Sequence, residues 1–214
     1  MACRSGFVTT GRLSLRQANS STSMRAPSRI QFYPLTPARW RDFEILFGER
    51  GACGGCWCML PRLRRSDFEK QKGQGNKKAM KRLVESGPPP GLLAYAGGQP
   101  IAWCALAPRE TYCTLAHSRI LKPVDERPVW SVVCFFVAKP YRRRGVSTQL
   151  LDAAAKYARK QGARIVEGYP VEPKTEARRP DVFVWTGLAS AFRSAGFEEA
   201  ARRSPTRPIM RRLL

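Results

Sequence analysis

Nine residues, Val129 to Val137, read Val-Trp-Ser-Val-Val-Cys-Phe-Phe-Val, and no other stretch limits so strongly what this chain can become. An apolar run of that length, rich in β-branched and aromatic residues, suits a strand covered on both faces. Pro140 then ends it, because proline has no N–H for a sheet ladder. After the turn Tyr141-Arg142-Arg143-Arg144-Gly145, the apolar residues Val146, Leu150, Leu151, Ala154, Tyr157 and Ala158 recur at helical spacing as far as Gly162. A doubly covered strand feeding an amphipathic helix requires a sheet with helices on its faces.

The remaining patterns agree. Ile30 to Leu35 reads as a short strand, and Thr36-Pro37 as a helix start followed by Trp40, Phe43, Leu46 and Phe47. Gly48 to Arg65 is a Gly- and Cys-rich loop. Ser66 to Ser86 is helical and basic, with Ser66 and Glu69 spaced as a capping box and Gly73 to Gly75 as a point of interruption. Leu92 to Ala96 and Ile101 to Ala107 form a hairpin about Gly97-Gly98, and Arg109 to Arg127 is irregular. Arg164 to Val171 is a strand. Leu188 to Ala195 is a short helix closed by Gly196, and the strands Phe197 to Arg203 and Pro208 to Leu213 follow. The expected fold is α/β (α+β): a mixed central sheet of six to seven strands flanked by about four helices.

The turn before the long helix has the makings of an anion site. The first N–H groups of a helix lack intrahelical partners and its dipole is positive there. Gly145 lets a ligand come close to the backbone, and three consecutive arginines add positive field. The whole chain leans the same way: 38 Lys and Arg stand against 16 acids, a net charge of +22. That favours anionic ligands and admits nucleic acid as a partner.

Residues 1–29 hold five arginines and no acid. This composition fits a basic disordered leader or a misassigned start with Met24 as the true one, and overlaps that of a transit peptide. The folded domain is expected over 30–214. No apolar run approaches the ~20 residues of a membrane span. Seven scattered cysteines, an odd number, do not form a secreted disulfide framework, so a reducing cytoplasm is expected.

With Arg142, Gly145 and Ser147 spaced as Arg-x-x-Gly-x-Ser between strand and helix, Leu150-Leu151 in that helix, and Phe192-x-x-x-Gly196-Phe197 downstream, the chain resembles the GNAT N-acetyltransferase superfamily. Its last motif position, usually Gly or Ala, is here Ser147. The order of elements matches from Ile30 to the C-terminus. The resemblance implies acetyl-CoA as acyl-donor cosubstrate, with its pyrophosphate held by the turn Arg142, Arg143, Arg144, Gly145, Val146, Ser147 and Thr148. The strand edge Phe135, Phe136 and Val137 would pair with pantetheine, and a splay between the fourth and fifth strands would admit thioester and amine. A homodimer is compatible with it.

Acyl transfer to an amine needs a neutral nucleophile, a polarised carbonyl and a proton for the departing thiolate. Many family members supply that proton from a Tyr at the position of Phe192, which has none to give, and the Asn common earlier in the helix corresponds to Thr186. The replacement candidates are Tyr169 as acid and Glu167 or Glu172 as base, directly or through water; positioning alone is the competing account.

Cys53-Gly54-Gly55-Cys56-Trp57-Cys58 offers three thiols in six residues. Structural zinc wants four ligands, and only Cys113 or His117 could complete a set, so no metal is expected. A redox pair or reactive thiol is a second reading. The favoured one is an acceptor-pocket wall of Cys56, Trp57 and Cys58. Between Arg62 and Arg82, nine basic residues stand against two acids, which would repel polyamines and draw anionic acceptors or RNA. The functional expectation is an N-acetyltransferase acting on an unidentified primary amine by direct transfer. The alternatives are an RNA-directed acetyltransferase or nucleic-acid-binding module on the same fold, and a non-catalytic acyl-CoA sensor.

Overall fold

Gly97 and Gly98 both take positive φ, the conformation a two-residue hairpin requires, and close β2 (Gly91–Ala96) onto β3 (Gln99–Pro108). In the computed structural model, which describes residues 29–173 and 184–214, this hairpin is the centre from which one sheet grows. The leader expected at 1–29 lies, but for Arg29, outside the described residues. β1 (Gln31–Pro34) pairs antiparallel with β2, and β4 (Trp130–Val137) antiparallel with β3. β5 (Ile165–Gly168) then joins β4 in parallel, and β7 (Pro208–Leu213) and β6 (Glu198–Arg202) complete the order β1-β2-β3-β4-β5-β7-β6. The expected mixed sheet is therefore seven-stranded.

Two apolar clusters cover its faces. On one, α1 (Trp40–Phe47) packs Phe43 and Phe47 against Trp103. On the other, α5 (Val146–Lys160) lays Val146, Leu150, Leu151, Ala154 and Ala158 over Leu92, Cys104, Leu106 and Val132, joined by Phe192 of α6 (Ala189–Ser194). Successive residues of β3 and β4 supply both clusters, which is why these strands read as continuously apolar.

The basic helical segment is interrupted close to the glycines that the sequence marked. It forms two helices, α2 (Arg65–Lys70) and α3 (Gln74–Ser86), broken at 71–73. The break has a packing cause: the Gly73 N–H donates to the Gly55 carbonyl (3.0 Å), and a Cβ on Gly55 would stand 2.7 Å from the Gly73 nitrogen. The expected capping box does not form. Arg64 is the residue before the helix, and Ser66 lies inside its first turn, with its hydroxyl against Asp67 at 3.5 Å. The irregular segment after β3 includes one further turn of helix, α4 (Cys113–Ala116).

Candidate active site

The site begins with a bulge. Between the pairs Ala105–Cys134 and Leu106–Val132, β4 carries one extra residue, Val133. A bulge bends its strand and sharpens its twist. Pairing of β4 with β5 ends there, at Val132–Gly168, so the two strands diverge beyond it. The resemblance implied a splay between these strands, and their pairing stops at this point.

Segment 184–188 runs into this opening. The Phe135 N–H donates to the Trp185 carbonyl (2.7 Å), while Val171 N–H bonds the Gly187 carbonyl (2.8 Å) and Ala189 N–H bonds the Val171 carbonyl (3.0 Å). The strand edge expected to receive pantetheine thus has its first donor engaged by the protein. Two residues on, the Val137 carbonyl accepts from Arg142 Nε at 2.8 Å, so the first arginine of the turn is folded back onto β4.

Past that arginine the turn is shaped by two left-handed residues, Arg143 (φ 58°) and Gly145 (φ 69°). Gly145 is the N-cap of α5 and has no side chain to cap that end, and among the described residues nothing lies within 4 Å of where a Cβ would be. The helix N-terminus therefore opens onto free space. Arg144 and Val146 border a groove of roughly 1200 Å³ between β1 and α5, whose rim carries Arg29, Lys156 and Lys160. Ser147 and Thr148 occupy the first turn of α5.

At the closed end of the splay, Glu167 is fully buried and bonded to Arg211 Nε (2.7 Å), Arg109 Nη1 (2.9 Å) and the Tyr169 hydroxyl (2.6 Å). Ser131, opposite Glu167 in the sheet, meets the same hydroxyl at 2.8 Å. Burial, followed by the Glu167 charge, pushes the Tyr169 phenol well above its usual range. A phenol so shifted is a weak proton donor, and the Glu167 carboxyl oxygens are already taken up by three donors. Glu172 lies elsewhere, in surface ion pairs with Arg193 and Arg202; those hydrogen bonds hold its pKa below the usual carboxylate range. The structure therefore brings Glu167 and Tyr169 together and leaves Glu172 apart. Arg109, Ser131 and Arg211 complete a cluster that sequence reasoning missed, because they come from three segments distant in the chain. Phe192, in the place of the usual acid, is fully buried, edge-on to Phe135 and Phe197.

The expected acceptor wall also needs correction. Trp57 is 2% exposed and stacked on Phe47 at 5.7 Å; a Cβ on Gly51 would strike its indole nitrogen at 2.2 Å. It is a core residue with no free face for an acceptor. Cys58 is buried too, and of the three only Cys56 reaches the surface. Among the described residues no group of three or more His, Cys, Asp or Glu is placed to hold a metal ion. Nor is any helix among them long and apolar enough to cross a membrane.

The model of the GNAT acetyltransferase family matches residues 57–179, more than half of the chain, and the protein belongs to that family. No curated protein matches it. Among solved structures it is similar to a GNAT-family acetyltransferase from Listeria monocytogenes, at 8% identity and a TM-score of 0.53 over 86% of this chain and 95% of that one. It is also similar to an aminoglycoside N-acetyltransferase solved with CoA, at 15% identity and a TM-score of 0.50, over 84% and 95%. Against a GNAT-family protein from Kribbella flavida (15% identity, TM-score 0.46) it covers 81% of its own length but only 34% of the other. At such identities the likeness speaks to the fold.

Proposed function

We propose that this protein is an acetyl-CoA-dependent N-acetyltransferase that acts on a primary amine by direct transfer within a ternary complex. The observation that carries the reading is the uncapped α5 N-terminus at Gly145, open to solvent and flanked by Arg143 and Arg144. The amides of residues 143–148 would hold the CoA pyrophosphate, and the β4 edge from Phe135 to Val137 would take the pantetheine arm, with the Trp185 carbonyl giving up Phe135. The Phe135 N–H would then be free to polarise a carbonyl in the splay. Family membership and a similar fold solved with CoA support the cosubstrate.

For the chemistry, alignment of thioester and amine supplies most of the rate. Tyr169 is the one proton-donor candidate whose hydroxyl stands at the β4–β5 fork. A screen of amine acceptors for CoA release, with the protein's own thiols subtracted, tests the proposal. Turnover of any amine supports it, and no turnover together with no acetyl-CoA binding overturns it. The buried Phe192 favours one second reading, a non-catalytic acyl-CoA sensor, for which tight binding without transfer or hydrolysis is the signature.

A further inference from the structure

We propose that Cys56, Cys58 and Cys134 form a thiol-oxidation site, in which Cys56 takes up a peroxide and Cys58 and Cys134 end as a reversible disulfide tying the loop after α1 to β4. The three sulfurs form a path from surface to sheet. Cys56 is part-exposed with its thiol on the Gly51 carbonyl at 3.6 Å, Cys58 follows two residues on and is buried, and Cys58 Sγ lies 3.3 Å from Cys134 Sγ although 76 residues separate them. A disulfide needs about 2.04 Å between sulfurs, so the inner pair must close by only ~1.3 Å. Cys104, on the neighbouring strand, packs on the opposite face of the sheet and does not compete.

The loop is built to present Cys56 as the entry point. Trp57 (φ 42°) and Cys58 (φ 53°) are consecutive left-handed residues with side chains, an uncommon conformation. Across them the chain passes from part-exposed Cys56 to buried Cys58. Hydrogen bonds from the Cys58 thiol and from the backbone N–H groups of Cys58, Cys53 and Cys56 pull the Cys56 thiol down to about 6. Part-exposed and with its thiol lowered, Cys56 is the nucleophile of the set. Burial keeps Cys58 a thiol.

The steps balance. The Cys56 thiol gives up its proton and attacks hydrogen peroxide, the O–O bond breaks, and the departing hydroxide takes that proton, giving Cys56 sulfenic acid and water. The Cys58 sulfur displaces a second water, giving a Cys56–Cys58 disulfide. Cys134 then attacks the Cys58 sulfur and expels the Cys56 thiolate, which receives the Cys134 proton. Two thiols are oxidised, one peroxide is reduced to two waters, and Cys56 is regenerated. Nothing in this sequence depends on the acetyl-transfer reading.

The test is peroxide treatment of the folded full chain, trapping of free thiols with N-ethylmaleimide under denaturing conditions, and peptide mapping. A Cys58–Cys134 cross-link reversed by dithiothreitol is expected. Cys56→Ser should slow its formation by at least about tenfold, since entry through a thiolate is lost. Cys113→Ser should change nothing. Recovery of both Cys58 and Cys134 as maleimide adducts from oxidised wild-type protein would overturn the proposal without recourse to any variant. A Cys56→Ser protein that cross-links as fast as wild type would overturn the entry role.

Discussion

The Phe135 N–H donates to the Trp185 carbonyl across the gap that the Val133 bulge opens between β4 and β5. If that edge receives pantetheine, the two bonds exclude each other. Acetyl-CoA should then raise amide hydrogen exchange in segment 184–188 and shift the Phe135 amide resonance. Saturating acetyl-CoA that leaves both unchanged would place the cofactor elsewhere.

The Gly145 turn makes a graded prediction. Gly145 sits at φ 69° with open space about it, so Gly145→Ala carries only the left-handed backbone cost of ~1–2 kcal/mol and should weaken acetyl-CoA binding modestly. Gly145→Glu adds a negative charge where phosphate would lie, and calorimetry should show a loss of more than about tenfold. Unchanged affinity in both variants would remove the turn from the cofactor site.

Glu167 is the counter-charge for two arginines. Glu167→Gln removes the charge from the Arg109 pair and leaves buried Arg211 with Asp125 alone (2.7 Å), and should destabilise the fold by ~3 kcal/mol in urea titration. Tyr169→Phe separates two accounts of catalysis. If alignment dominates, kcat should fall less than about tenfold, whereas a general acid would cost 10²–10⁴.

Restoring the family's usual acid should not help. Phe192 is enclosed by the rings of Phe135 and Phe197 and stands close to Gly168 and Gly187, an apolar setting for a hydroxyl. Phe192→Tyr should lower stability by ~1–3 kcal/mol and leave kcat no higher, as steady-state assays would show.

The Cys56 thiol, lowered to about 6, has a signed pH dependence. Its iodoacetamide alkylation should rise through a midpoint near pH 6, and Cys58→Ala, which removes the hydrogen bond that lowers it most, should move that midpoint upward. Because the folded state favours the thiolate, this group's stabilisation is present above the ordinary thiol range and is lost as pH falls through about 6. A denaturant series across pH 5–9 in wild type and Cys56→Ser should show the difference.

Local pattern was enough for the elements and their order. The doubly apolar Val129–Val137, the Gly97-Gly98 hairpin and the Gly145 turn each rest on backbone rules that act within a few residues, and the structure follows them. Through those elements the sequence by itself determined the α/β architecture and the open helix N-terminus. What it could not reach were contacts between segments far apart. Glu167 looked like a base until Arg109 and Arg211 closed on it, Trp57 like an acceptor platform until Phe47 covered it, and Cys58 like part of the same acceptor wall until Cys134 met it. Burial and charge pairing depend on what arrives from the other side of the sheet, so only the tertiary structure decided the chemistry of those side chains.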